Sequence, residues 1–274
     1  MPSPRHTLIV GCGYVGSAIA RSLVAAGERV TGWVHTEASA VPLRAEGLPI
    51  LVGDINSAEA WADVPTNIDA VIHCASSSRG GAGAYADVYR EGLRHLIHRF
   101  STARLLFTSS TSVYAQTSGE WVTELSPAEP AKETGQILRE AEQLGLDHGV
   151  IVLRLAGIYG PGRGVLLERL KKGEAVIEGD GMRWINQIHR DDAASAAIHL
   201  LHHGKPGEIY NVCDNEPVTY YEYYRWMSAQ LQVPLPPFGP LKTDRKRGLT
   251  NKRVSNAKLR ALGWEPTHPS FRTT

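Results

Sequence analysis

The chain has 274 residues, a length that suits one large domain or a core domain with a smaller lobe. Its formal net charge of +1 excludes a global field that would attract nucleic acid or a membrane surface. No apolar run approaches the ~20 residues that span a bilayer, and the N-terminal residues lack a signal-peptide core. Three cysteines without metal-site spacing complete a pattern that predicts a cytoplasmic protein without a metal site.

The first predicted element is a strand, a glycine-rich turn and a helix between Thr7 and Ala26. In the turn, Gly11 permits a tight bend, Gly13 lets the backbone approach a pyrophosphate, and Gly16 lets the helix pack closely on the strand. The amide groups and the dipole at the helix start favour the same phosphates. This order predicts a dinucleotide site, and it leaves open a tight turn that binds nothing.

The second predicted strand, Arg29 to Val34, ends without the carboxylate that would bind the ribose 2′-hydroxyl of NAD. His35 and Thr36 follow, and these side chains leave room for the 2′-phosphate of NADP. The pattern favours NADP over NAD as the cofactor, although Glu37 comes one residue later. Arg44 is compatible both with a second phosphate contact and with a solvated helix charge.

The third and fourth predicted strands, Ile50 to Ile55 and Ala70 to Ala75, end at the sheet edge where open α/β sheets bind ligands. Asp54 either accepts a hydrogen bond from an adenine amino group, with Ile55 covering the ring, or caps the helical turn that follows. Arg79, in the loop after the fourth strand, is either a contact for a substrate anion or a solvated arginine.

The alternation of predicted strands and helices continues through the middle of the chain and becomes less regular after about residue 163. A basic stretch near the end, Lys242 to Arg253, is either solvated surface or part of a site for a negatively charged ligand. The remaining predicted elements are helices at 85–100, 136–144, 165–172, 191–201 and 219–231 and strands at 104–108, 150–155, 175–177 and 208–212.

These elements predict an α/β fold, a Rossmann-type doubly wound parallel sheet of roughly seven strands with a small C-terminal substrate lobe. We assign residues 1–157 to the dinucleotide-binding domain, which residues from about 185 to 213 complete. Residues 158–184 and 214–274 form the predicted substrate-binding lobe.

The chain resembles the extended short-chain dehydrogenase/reductases, which include the NAD-dependent epimerases and dehydratases of nucleotide sugars. The resemblance covers nearly the whole chain, although Gly-x-Gly-x-x-Gly replaces the group's Gly-x-x-Gly-x-x-Gly. It implies a homodimer formed through the helices predicted at 85–100 and 136–144. The landmarks that carry it are the turn at 11–16, Gly53-Asp54-Ile55, Ser109 to Tyr114, Arg154 to Gly162, Asn186 to Asp192, Tyr210-Asn211-Val212 and Lys252 to Leu259.

The resemblance also implies contacts that the motifs alone do not give. Cofactor contacts fall on Tyr14, Val15, Ala75, Ser76, Ser109 and Leu155, beside the residues of the turn, the second strand and the Asp54-Ile55 step. Substrate contacts fall on Arg79, Tyr159, Asn186 and His189.

Family chemistry implies a serine hydroxyl, a tyrosine acid/base and a lysine four residues later that lowers the pKa of the tyrosine. Ser110 fits the first role, but Thr134 stands at the tyrosine position and Leu138 at the lysine position. Threonine has no phenol of pKa ~10 to tune, so the ordinary pair is absent. We take Ser110, Tyr114 and Thr134 as the candidate catalytic residues. The candidate replacement proton donors are Tyr114, Tyr89, Tyr159 and His189.

Three functions are compatible with this sequence, and we favour the first. It is an NAD(P)-dependent oxidoreductase or epimerase/dehydratase-like enzyme with relocated acid/base groups, acting on a sugar nucleotide or a small carbonyl or hydroxyl compound. The second is a non-catalytic protein that senses NAD(P) and regulates a partner. The third keeps the fold, but its cleft binds a mononucleotide or nothing.

Overall fold

The computed structural model describes residues 5–77, 80–243 and 249–273. Its central sheet has seven strands, and every neighbouring pair in it is parallel. The strands are β1 (His6–Val10), β2 (Arg29–Val34), β3 (Ile50–Val52), β4 (Ala70–His73), β5 (Arg104–Ser110), β6 (Ile151–Leu155) and β7 (Ile209–Val212). Their order is β7-β6-β5-β4-β1-β2-β3, so the direction of winding reverses between β1 and β4. A crevice at such a reversal, beyond the carboxyl ends of the strands, is where this fold binds ligands.

Both faces of the sheet are covered. All residues of β1, β4 and β6 are buried, although successive side chains in a strand point to opposite faces. Strands of this kind read as continuous apolar runs, which is why the sequence identified them. In β4, burial lowers the pKa of His73 to about 4, and its Nε2 lies 2.9 Å from the carbonyl oxygen of Val88.

Helices flank the sheet in two packed pairs. α1 (Tyr14–Ala25) packs against α6 (Arg190–His203), and α3 (residues 82–99) packs against α4 (Glu133–Asp147). α3 is continuous but contains a π-helical stretch, Ala86–Glu91, between Ala82–Tyr85 and Gly92–Arg99. Within the described ranges, no helix has both the length and the apolar composition needed to cross a membrane. The other helices are α1 (Tyr14–Ala25), α2 (Glu37–Ala45), α4 (Glu133–Asp147), α5 (Val165–Lys171), α6 (Arg190–His203), α7 (Tyr220–Leu231) and α8 (Ala257–Arg260).

A second, smaller hydrophobic core lies beside the main one, among residues of the predicted lobe. α7 contributes two buried tyrosines to it and begins with a complete capping box, in which Thr219 and Glu222 bond each other's backbone amides. The buried members of this core are Leu170, Ala175, Ile177, Val218, Tyr223, Tyr224 and Phe271.

Four pairs of short strands lie apart from the central sheet, and several of them involve residues of the predicted lobe. Each of these strands has only two or three residues, and most pair with segments far away in the sequence. Only the strand Ile177–Glu178 overlaps a strand that was predicted from the sequence. The pairs are Trp121–Val122 with Arg253–Val254, Gly157–Tyr159 with Gln187–His189, Ile177–Glu178 with Phe238–Gly239, and Trp184–Ile185 with Val218–Thr219.

Candidate functional site

Two glycines of the first turn are fixed by close backbone packing. Gly11 has a φ of +86°, and a Cβ atom there would lie 2.2 Å from the amide nitrogen of Ala75. A Cβ at Gly16 would lie 2.4 Å from the carbonyl oxygen of Gly11, where helix α1 crosses the turn. The turn is further held by the amides of Gly11 and Cys12, which both donate to the carbonyl of Trp33 at 2.9 Å. Larger residues at Gly11 or Gly16 would therefore displace backbone.

Gly13 differs because the space beside it is open. Apart from Gly13, its two chain neighbours and the adjoining helix backbone, no heavy atom of the described residues lies within 4 Å of a Cβ built there. Gly13 is the N-cap of α1, and neither a capping side chain nor an acidic residue of the first turn occupies this end of the helix in the described structure. The free amides and the positive dipole end meet an open space, which fits the pyrophosphate of a dinucleotide.

The turn opens into a cavity of about 1540 Å³ that follows the carboxyl ends of the central strands and continues into the lobe. Small-molecule pockets measure roughly 300–1,000 Å³, so this volume accommodates a dinucleotide together with a second ligand. Most residues singled out from the sequence line it. They are Gly11, Gly13, Tyr14, Val15, His35, Asp54, Ile55, Ala75, Ser76, Ser109, Ser110, Leu155, Tyr159, Asn186 and His189.

The end of β2 presents no carboxylate to the cavity. Thr36 does not line the cavity, because its hydroxyl caps α2 by accepting from the amide of Ser39 at 3.3 Å. Glu37 is paired with Arg44, whose other nitrogen donates to the carbonyl of Ile50 at 3.0 Å. His35 is therefore the exposed side chain at this position that faces the cavity.

Asp54 lines the cavity and does not cap the following helical turn, one of the two roles considered from the sequence. Its Oδ1 accepts from the amide of Asn56 at 2.9 Å, and Ser57 occupies the N-cap position of the turn Ala58–Trp61 without a side-chain capping bond. Ile55 beside it is buried and also lines the cavity.

Ser110 stands at the carboxyl end of β5 and lines the cavity. Its Oγ accepts from the amide of Ser112 at 3.2 Å, so the hydroxyl keeps its proton for another acceptor. Leu138 of α4 lines the same cavity. The position that would hold the family's lysine therefore faces the site, but it carries an apolar side chain.

The structure does not place Tyr114, a candidate catalytic residue from the sequence, at the site. Its side chain lies in the core and does not line the cavity. Its side chain is fully buried, its hydroxyl donates to Oδ1 of Asn211 at 2.9 Å, and Arg154 lies 4.8 Å from the ring centre. Burial raises the pKa of Tyr114. The single turn Thr111–Val113 separates Ser110 on the cavity wall from Tyr114 in the core.

Two further predicted residues of the described ranges do not line the cavity. Thr134, taken from the sequence as a candidate catalytic residue, lines a separate recess of about 10 Å³ beside Ser112 and Pro130. Gly16 packs beneath the turn, as described above. Arg79 lies outside the residues that the structure describes.

His189 and Asn186 line the cavity but also hold the fold together. Nδ1 of His189 accepts from the amide of Asp191 at 3.3 Å and caps α6, and burial lowers the pKa of His189. Nδ2 of Asn186 donates to the carbonyl of Lys252 at 2.9 Å, and Oδ1 of Asn186 accepts from the backbone amide of Val254 at 2.7 Å. These bonds fix the wall of the site to the lobe.

A cluster of His189, Asp192 and His268 has ligand atoms within 4.8 Å of one another. The Asp192 carboxylate, however, already accepts from the amides of Thr267 and His268 at 2.8 Å and lies 3.0 Å from Nδ1 of His268. These bonds attach the C-terminal segment to the start of α6, which gives the cluster a structural role.

The lobe contributes three cations to the cavity wall that were not identified individually from the sequence, Arg163, Arg183 and Lys252. Lys252 belongs to the basic stretch Lys242 to Arg253, and the charge of this stretch was the sequence feature that could have identified it. Arg245, Lys246 and Arg247 of that stretch lie outside the described residues. Arg183 packs its guanidinium 4.6 Å from the ring centre of Tyr220.

Comparisons with known proteins agree with this geometry. Residues 7–213 match the model of the NAD dependent epimerase/dehydratase family. Protein YeeZ of Escherichia coli K12 is 31% identical over 282 residues, which cover 97% of each chain. A conserved protein of unknown function from Silicibacter pomeroyi is 27% identical, covers 98% of this chain and 96% of its own, and has a TM-score of 0.80. A dTDP-glucose 4,6-dehydratase from Streptomyces venezuelae, solved with NAD bound, is 23% identical, covers 97% and 93%, and has a TM-score of 0.82.

Proposed function

Because the chain belongs to the NAD dependent epimerase/dehydratase family, we propose that it is an NAD(P)-dependent oxidoreductase or epimerase acting on a sugar nucleotide or a small carbonyl or hydroxyl compound. The observation that carries this proposal is the open helix start at Gly13, which faces a cavity that continues to Ser110. The nicotinamide cofactor supplies hydride chemistry when it is bound.

The residues of this chain divide the work of the site. The amides at the start of α1 bind the phosphates, and Asp54 with Ile55 encloses the adenine. Ser110 donates its hydroxyl proton in a hydrogen bond to the reacting oxygen of the substrate and so orients it. Leu138 contributes only an apolar wall, so the proton that leaves or reaches this oxygen must pass through another group.

The direct test is transfer of deuterium from 4-deuterated NADPH to a panel of carbonyl compounds that includes nucleotide 4-keto sugars and small oxo acids. We expect turnover of at least one compound, and a loss of about 100-fold or more in Ser110→Ala because a positioned donor to the reacting oxygen is removed. Ser101→Ala, at an exposed turn before β5, is the control and should be unchanged. A turnover rate in Ser110→Ala equal to that of the wild type would contradict the role of this hydroxyl.

A second candidate function is a sensor of NAD(P) that regulates a partner. Thr134 and Leu138 at the positions of the family's acid/base pair favour it, because neither residue exchanges protons near neutral pH. Tight nucleotide binding without deuterium transfer to any compound of the panel would support the sensor. Transfer to any one of them would exclude it.

We further propose that NADP is the preferred nucleotide, since the carboxylate of Glu37 is held by Arg44 and His35 faces the cavity. His35→Asp should weaken NADPH binding by about tenfold or more, because the new carboxylate repels the 2′-phosphate, and should leave NADH binding equal or tighter. Calorimetric titration with both nucleotides measures the ratio. Glu37→Gln is the control, because it removes one negative charge from the adjacent helix α2 and leaves His35 in place. An unchanged NADPH-to-NADH ratio in His35→Asp would place the 2′-position elsewhere.

A further inference from the structure

Lys252 is a buried lysine on the wall of the cavity. It immediately precedes the short strand Arg253–Val254, which pairs with Trp121–Val122 and draws this part of the chain into the protein. Its side chain is only 6% exposed, and its carbonyl is held by the amide of Asn186 at 2.9 Å. The backbone on both sides is thus anchored, and the ammonium group has a fixed place in the lobe wall of the cavity.

The charges around this ammonium do not neutralise it. Nζ donates to Oγ1 of Thr250 at 2.9 Å, and no carboxylate of the described residues forms an ion pair with it. The carboxylate of Glu120 interacts electrostatically with Lys252 but makes no ion pair with it. It accepts hydrogen bonds from the amide and the hydroxyl of Ser118 at 3.0 and 2.6 Å. The neighbouring Arg253 stacks on Trp121 and Trp184.

A second positive charge lies close by. Arg183 also lines the cavity, and its positive charge repels that of Lys252. The Nη2 atom of Arg183 is buried and has no hydrogen-bond partner among the described residues. Burial, followed by the charge of Arg183, lowers the pKa of Lys252 to about 8.

A buried cation without a counter-ion destabilises a fold, and a bound anion removes that cost. We propose that Lys252, next to Arg183, binds a compact oxyanion of the substrate, a carboxylate or a phosphate, at the lobe wall of the cavity. This inference rests on the proposed function, and it narrows the substrate to a carbonyl or hydroxyl compound that carries such a group.

The proposed site has a proton signature. Near pH 8.5 a large share of Lys252 is neutral in the free protein. A bound anion favours the ammonium form, so Lys252 takes up protons from the buffer when the anion binds at this pH and takes up almost none at pH 6.5. An arginine at this position stays protonated, so any proton exchange that remains in its binding comes from the anion itself.

The experiment is calorimetric titration of the full chain, saturated with NADPH, with malonate and with pyrophosphate as probes, in two buffers of different ionisation enthalpy at pH 6.5 and 8.5. We expect wild type to bind at least one probe and to take up protons at pH 8.5. Lys252→Met should weaken that probe by about tenfold or more. Lys252→Arg should bind the same probe with less proton uptake at pH 8.5 than wild type, because only the proton exchange of the probe itself remains. Lys205→Met, which removes an exposed lysine outside the cavity, should match wild type.

Preference for malonate identifies a carboxylate as the natural group, and preference for pyrophosphate identifies a phosphate. Equal probe affinity in wild type and Lys252→Met, or no binding of either probe to wild type, would overturn the proposal. Folding is monitored by thermal melting, and Lys252→Gln replaces Lys252→Met if the latter does not fold. The same samples report NADPH binding, so loss of the nucleotide site, which would refute the proposed function, is distinguished from loss of the anion site.

Discussion

Gly13→Asp should weaken nucleotide binding strongly while leaving the fold intact. The space beside Gly13 is open and its φ is −91°, so a side chain fits sterically in the absence of a ligand. In the proposed complex the same space holds the pyrophosphate, and the new carboxylate brings a like charge to it. We expect the Kd for NADPH to rise by about 100-fold or more, equivalent to about 2.7 kcal/mol, with little change in melting temperature.

The chain contains a matched control for this substitution. Gly81 is also the N-cap of a helical segment, it has no capping side chain, and no described heavy atom lies within 4 Å of a Cβ built there. It does not line the cavity. Gly81→Asp should therefore leave NADPH affinity within about twofold of wild type. Tight NADPH binding by Gly13→Asp would show that the phosphates lie elsewhere.

Glu142→Leu should produce the largest loss of stability. Glu142 is fully buried on α4 and bonds both Nε and Nη2 of Arg154, at 3.0 and 2.7 Å. It also accepts from Ser109 at the end of β5 and pairs with Arg139. Removing the carboxylate leaves Arg154, 1% exposed, as an uncompensated buried charge. We expect the free energy of unfolding in urea to fall by about 3–5 kcal/mol.

Two further variants separate charge from packing in this prediction. Glu140→Gln, on the same helix, removes an exposed ion pair with Arg90 and should cost about 0–1 kcal/mol. The double variant Glu142→Leu with Arg154→Met removes both buried charges and should recover most of the lost stability. If the double variant is as unstable as Glu142→Leu, packing and not the buried charge explains the loss.

This ion pair also sets the orientation of α4 toward the site. Glu142 lies one helical turn after Leu138, so anchoring the carboxylate on β5 and β6 directs Leu138 to the cavity. The chain therefore retains the placement of this helix without the acid/base pair that the resemblance leads one to expect there. That combination is the reason to look for proton transfer in other groups of the cavity wall.

The central sheet was predictable because β1, β4 and β6 are fully buried and read as apolar runs, and the other strands are largely buried. β2 begins and ends at the residues expected from the sequence, Arg29 and Val34. The two-residue strands of the lobe were not predictable. Pairs such as Trp121–Val122 with Arg253–Val254 have no periodicity of their own and depend on contacts between distant segments.

The same difference applies to the site. The glycine turn and Ser110 follow from β1 and β5, which the sequence identifies, although β5 continues to Ser110 and does not end at the predicted Thr108. Tyr114 was inferred from its nearness to Ser110 along the chain, and a single 3₁₀ turn was enough to bury it away from the cavity. Lys252 lay in a stretch whose charge suggested either solvated surface or an anion site. Its burial comes from strand pairing that only the folded chain reveals.

The decisive measurement is calorimetric titration of the wild-type chain with NADPH and with NADH. If the amides at the start of α1 bind a nicotinamide dinucleotide, as we propose, one nucleotide binds per chain with saturation, and NADPH binds more tightly. Failure of both nucleotides to bind at millimolar concentration would contradict it and leave a glycine turn that serves the fold alone.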